Sequence, residues 1–97
     1  MSNIKVIEKL GKTQGKTAVI LAGVHGNEIC GIIAFDKIIP SLEIKSGKVL
    51  FIYSNLEAIR QNKRFIEENL NRCFLPIQSK EVSQTLEGKT AKEIEPY

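Results

Sequence analysis

The stretch Thr17-Ala18-Val19-Ile20-Leu21-Ala22-Gly23-Val24-His25-Gly26-Asn27-Glu28 decides how this chain is read. Residues 17–24 form an apolar run rich in β-branched side chains. It has the length of one strand and lacks the alternation of a half-exposed one, so it predicts a strand buried on both faces, the kind found inside a parallel sheet. Gly23 and Gly26 bracket His25 where that strand ends. Asn27 can cap a following helix. Ile29, Ile32, Ile33 and Ile38 give that helix an apolar stripe, and Pro40 stops it, because the residue before a proline is pushed out of the helical region. Ser46-Gly47 reads as a turn, and Lys48 to Tyr53 (KVLFIY) as a second buried strand. Strand, helix and strand with short connections make a βαβ unit, which implies parallel pairing.

Working outward, Ile4 to Leu10 is a weaker strand with Ile4, Val6 and Glu8 on one face, and Gly11 to Lys16 is a polar, glycine-rich turn. Residues 54–75 are polar and irregular, too long for a plain connection. Residues 79–94 read as a helix with Val82, Leu86 and Ile94 inward, weakened by Gly88. The expected class is α/β, a parallel-rich mixed sheet flanked by helices. The alternation of strand and helix stops at Pro96-Tyr97, where another strand would follow. Residues 1–97 are therefore expected to be the N-terminal portion of a larger domain. A sheet edge and apolar faces left uncovered favour self-association, so a homo-oligomer is expected.

Composition narrows the class further. Ninety-seven residues, 42% hydrophobic and 26% charged, suit one small globular domain. The net charge of +3 is spread along the chain, which argues against a nucleic-acid partner, since that needs a dense basic face. No run approaches the ~20 apolar residues of a membrane span, and no secretory apolar core follows Met1-Ser2-Asn3. Cys30 and Cys73 form no C-x-x-C pair and suit a reducing compartment, so a cytoplasmic protein without a membrane partner is expected. Cys30 is expected in the core, on the apolar side of the helix. Cys73 sits beside Arg72, where a lowered thiol pKa is conceivable, but no second histidine offers it a base. Gly-Lys-Thr occurs three times, yet position 10 is Leu and position 83 is Ser where a phosphate-binding loop would need glycine.

Two clusters could carry chemistry. His25 and Glu28 are three residues apart at a strand end, so an imidazole and a carboxylate can reach one ion; such donors suit zinc. A surface histidine next to a first-turn acid favoured by the helix dipole would show the same spacing. The second cluster gathers Arg60, Lys63, Arg64, Asn71 and Arg72 after the second strand. Guanidinium groups grip carboxylates bidentately and can stabilise an oxyanion. A solvated basic loop balanced by Glu57, Glu67 and Glu68 is the plainer alternative.

Together, G-x-H-G-N-E at 23–28 and N-x-x-A…R-F-I-x-x-x-L-N-R-x-F at 55–74 resemble the succinylglutamate desuccinylase/aspartoacylase family, relatives of the zinc carboxypeptidases. The resemblance implies a Zn2+ cofactor held by His25 and Glu28. It implies that Arg64 polarises the scissile carbonyl and that Asn71 and Arg72 hold a substrate carboxylate. The implied reaction is hydrolysis of the amide bond of a small-molecule N-acyl amino acid, an acidic one. The family takes a second histidine ligand and a general-base glutamate from later in its chain, whereas His25 is the one histidine here. Asn69 stands where the family usually has Asp. A non-catalytic fragment that binds a carboxylate or another chain is the alternative.

Overall fold

The central element is the strand β2 (Ile44–Tyr53), whose last four residues, Leu50 to Tyr53, are all buried. The computed structural model describes residues 2–97. A long strand β1 (Lys5–Ala22) pairs with β2, and the register shows how. Along Lys5 to Leu10 the partner falls from Tyr53 to Lys48; along Thr17 to Ala22 it rises from Lys48 to Tyr53. The first arm of β1 therefore runs antiparallel to β2 and the second parallel to it. Each residue from 48 to 53 is matched twice, so β2 lies between the two arms.

This confirms the parallel strand–helix–strand unit and refines its sheet. Residues 11–16 do not make a separate turn; they stay extended within β1 and cross the start of β2. Ser46-Gly47 is likewise part of β2, not a turn before it. The glycines serve the crossing. A Cβ on Gly47, whose φ is +75°, would lie 2.0 Å from the Lys16 carbonyl oxygen, and one on Gly11 2.7 Å from the Ser46 backbone. Two backbones touch here, and only residues without side chains let them.

Among the described residues four helices flank the sheet: α1 (Cys30–Ile38), α2 (Leu56–Gln61), α3 (Lys80–Ser83) and α4 (Leu86–Ile94), with 3-10 turns at Ile39–Ser41 and Leu70–Arg72. Alternation along β2 divides the core in two. Phe51 and Tyr53 face Phe35, Ile39 and Ala22, with Ile7, Ile32 and Val49 packed around them. Ile52 faces the other way, toward Leu70, Cys73, Ala91 and Ile94. Fully burying a side chain such as Ile52 stabilises the fold by about 1.5–3 kcal/mol. The Phe35 ring stands edge-on to Phe51 and Tyr53, with centroids 5.1 and 5.3 Å apart. Tyr53 donates from its hydroxyl to Asp36 Oδ1 at 2.6 Å. Burial, aided by the Asp36 carboxylate, pushes its pKa up to about 12.

Several local expectations are corrected. Asn27 does not cap α1; the helix begins at Cys30 with Ile29 before it and no side-chain cap. Its inward stripe is Ile32, Phe35 and Ile39, at spacings of three and four, whereas Ile29, Ile33 and Ile38 are 45–50% exposed. Cys30 is exposed rather than in the core. Thr17 to Ala22 is not covered on both faces: Ile20 is 44% exposed, because this arm lies outside β2. The stretch at 54–75 contains α2, capped by Asn55 and closed by Asn62 at φ 54°. The helix expected at 79–94 is two helices, since Thr85 ends the first turn and caps the second.

Candidate functional site

The carboxyl end of the parallel arm of β1 feeds the segment 23–28. Gly23 turns the chain with φ +71°, a conformation that favours glycine. Gly26 lies so close to α2 that a Cβ there would come within 2.3 Å of the Ala58 carbonyl carbon. The Gly26 N–H donates to the Arg64 carbonyl at 3.2 Å, which ties the segment carrying His25 to the loop carrying Arg64. The two sequence clusters, about 35 residues apart in the chain, are thus neighbours in space.

His25 is half-buried, and each ring nitrogen lies near a side-chain oxygen. Nδ1 lies 3.5 Å from Glu28 Oε2, and Nε2 lies 3.0 Å from Asn69 Oδ1. Asn69 Oδ1 also accepts the Asn71 backbone N–H at 3.0 Å. An atom that accepts a backbone N–H is the oxygen of the amide, and an oxygen takes a hydrogen from its second partner as well. His25 Nε2 therefore carries the proton in the neutral ring. Nδ1 keeps its lone pair, on the side of the Glu28 carboxylate.

A lone-pair nitrogen and a carboxylate oxygen 3.5 Å apart are two electron donors side by side, the donor chemistry that zinc takes. His25 and Glu28 fit a cation as two of its ligands. Glu28 remains 63% exposed, open to a ligand from outside. Among the described residues no group of three or more His, Cys, Asp or Glu stands ready to hold a metal ion.

Asn69 joins the clusters. Its main-chain carbonyl accepts the Arg72 N–H at 2.9 Å and the Cys73 thiol at 3.4 Å, closing the 3-10 turn that presents Asn71 and Arg72. Arg64, Asn71 and Arg72 are exposed, and among the described residues neither Arg64 nor Arg72 forms an ion pair. Arg60 is different. It is paired with Glu57 on α2, where hydrogen bonds from Arg60 and Gln61 draw the Glu57 carboxyl down to about 2. Cys73 is buried, and burial together with Glu68 and Glu87 pushes its thiol up, the opposite of the lowering conceivable beside Arg72.

Sequence reasoning missed Glu87. It is fully buried, on the first turn of α4, and accepts the N–H groups of Ile66, Glu67 and Glu68 at 2.8–3.0 Å and Asn55 Nδ2 at 2.9 Å. Burial pushes its carboxyl up, but these donors outweigh it and hold the pKa below the usual value. Asn3 extends the network, donating to Asn55 Oδ1 and Thr90 Oγ1, each at 2.9 Å. The available signal was an acid on a stripe otherwise apolar or small.

The geometry is that of an α/β protein whose candidate site sits at the carboxyl end of a parallel strand. The chain matches the family model of the succinylglutamate desuccinylase/aspartoacylase catalytic domain over residues 14–97, and it belongs to that family. It is 40% identical over 88 residues to the succinylglutamate desuccinylase of Pseudoalteromonas atlantica, a match covering 82% of this chain and 25% of that protein. It is 37% identical over 67 residues to that of Pseudomonas paraeruginosa, covering 65% of this chain and 20% of the relative. The crystal structure of succinylglutamate desuccinylase from Vibrio cholerae superposes with a TM-score of 0.74 at 26% identity, over 94% of this chain and 28% of that one. The chain thus spans about a quarter of the length of these relatives.

Proposed function

We propose that this chain supplies the zinc-binding and substrate-gripping part of a cytoplasmic amide hydrolase acting on an acidic N-acyl amino acid of the N-succinylglutamate kind. The observation that carries the reading is the Asn69 contact at His25 Nε2, which leaves a lone pair on Nδ1 beside the Glu28 carboxylate. The relatives support the substrate class through their name, succinylglutamate desuccinylase. When bound, zinc supplies a Lewis acid and a water of lowered pKa.

The residues of this chain do the holding. His25 and Glu28 bind the ion, and Asn69 keeps the imidazole in the tautomer that can bind. Arg64, tied to the His25 segment through the Gly26 bond, stabilises negative charge developing on the scissile carbonyl oxygen. Arg72 grips a substrate carboxylate bidentately while Asn71 donates from its amide. Two protein donors fill half of a tetrahedral shell, so a further ligand and the general base come from outside residues 1–97.

The test is His25→Ala in a protein of the relatives' full length that contains these residues. Loss of both stoichiometric zinc and N-succinylglutamate hydrolysis is expected. A variant that keeps both removes His25 from the site.

A further inference from the structure

Arg64, Asn71 and Arg72 sit on a loop with little apolar anchorage, apart from Leu70 and Cys73 at its far end. Phe65 is 38% exposed. What holds the middle of the loop is a carboxylate: Glu87 accepts three successive backbone N–H groups, from Ile66, Glu67 and Glu68, with its two oxygens. Its Oε2 also takes Asn55 Nδ2, and Asn55 caps α2, the helix against which Gly26 packs. The hold is reciprocal, because Glu67 Oε1 accepts the Leu86 N–H at 2.7 Å, in the first turn of α4. Two carboxylates thus clasp loop to helix, each receiving backbone donors of the other's segment.

We propose that Glu87 is a positioning residue for the substrate-gripping loop: through the N–H groups of Ile66 to Glu68 it fixes where Arg64 leaves the loop and where the Asn69–Arg72 turn begins. This rests on the reading above for what the loop grips, though not for the clasp itself. An ionised carboxylate offers both oxygens as acceptors; a carboxamide offers one oxygen and turns an NH2 toward a backbone donor. Glu87→Gln therefore opposes a donor to a donor while keeping the shape. The helix has its own backbone bonds, such as Lys89 N–H to the Thr85 carbonyl at 3.1 Å and Glu95 N–H to the Ala91 carbonyl at 3.0 Å, and these do not pass through Glu87.

Amide hydrogen exchange on the 97-residue chain reads the clasp directly. In Glu87→Gln, the amides of Ile66, Glu67 and Glu68 should exchange about 10-fold faster or more, the scale of a lost bond to a charged acceptor. Those of Lys89 and Glu95 should hold. Glu67→Ala, at an exposed position that cannot unfold the core, should release the Leu86 amide. Wild-type amides at 66–68 already exchanging at open-loop rates would overturn the proposal. So would a Glu87→Gln variant in which loop and helix amides quicken equally, since that is a merely structural role. Calorimetric titration with N-succinylglutamate, in a protein of the relatives' full length that contains these residues, with and without Glu87→Gln, separates the two readings. Weaker binding in Glu87→Gln, with the helix amides unchanged, supports positioning. A full-length wild type that shows no binding overturns the substrate reading and leaves the clasp standing.

Discussion

Asn69 Oδ1 lies 3.0 Å from His25 Nε2 and 3.0 Å from the Asn71 backbone nitrogen, so one amide oxygen orients both the candidate metal ligand and the start of the candidate carboxylate grip. At pH 8, nitrogen-15 spectra should show His25 protonated on Nε2. Asn69→Ala removes the acceptor and should give a mixture of tautomers. In the zinc-binding protein it should weaken zinc about 10-fold, the lower end of the effect of losing a residue that orients a ligand. A proton found on Nδ1 in the wild type would refute the assignment.

Replacing Arg72 by Lys keeps the charge and removes the bidentate fork. In the full-length protein this should cost about 1.5–3 kcal/mol in kcat/KM for an acidic N-acyl amino acid, the scale of a charged hydrogen bond. Kinetics within twofold of wild type would take Arg72 out of the site.

Acid should loosen the chain through Glu87. Its carboxyl titrates below the ordinary value of 4.5 when folded, so the unfolded chain binds that proton first. The stability it contributes is present above about pH 4.5 and lost as pH falls through the folded pKa. Glu57, drawn down to about 2, carries the same sign but is screened by solvent. Urea melts between pH 3 and 7 should show the wild type losing stability below about pH 4.5. The Glu87→Gln variant should lose less over that range; an identical slope in both would exclude Glu87 as the titrating group.

Gly88→Ala should destabilise the chain despite the roughly 1 kcal/mol that alanine gains over glycine in a helix. An added Cβ would sit 1.9 Å from the Val82 carbonyl oxygen. Relieving that overlap moves α3 against α4, for a net loss of about 1–3 kcal/mol by urea titration. A stabilised variant would mean that the two helices yield freely.

The 97-residue chain should self-associate in sedimentation runs. Both arms of β1 have their second edge unpaired among the described residues, and Ile20, Leu75 and Ile77 are 44%, 48% and 86% exposed. Such edges and apolar positions favour pairing with another copy. A monomer that unfolds cooperatively at micromolar concentration would contradict this.

The parallel pairing and the strand at 48–53 were legible because burial on two faces writes a continuous apolar run, and β2 is the strand that is buried so. The candidate site was legible as two motifs, and the Gly26–Arg64 bond brings them together. What misled was ambiguity in glycine and isoleucine. Gly11, Gly15 and Gly47 signal turns, but here they allow one backbone to cross another. The isoleucines of α1 outnumber the places facing the sheet, so of those expected only Ile32 joins the stripe, with Phe35 and Ile39. Glu87 was hard to read for a different reason: besides Asn55, its partners are main-chain N–H groups, which every sequence has.

The position of β2 between the arms of β1 also constrains how the chain can be made. Both arms leave the ribosome before their shared partner, and their pairings span 31 to 48 residues of sequence. Until β2 arrives, the arms must stay about two strand spacings apart, roughly 10 Å, or close on each other as a hairpin that has to reopen. Native strand pairing is therefore postponed until β2, from Ile44 onward, has been made, and contacts of such separation form slowly. The Gly11 and Gly47 crossing is where the late strand threads in, so bulk added there would obstruct the threading as well as the finished crossing.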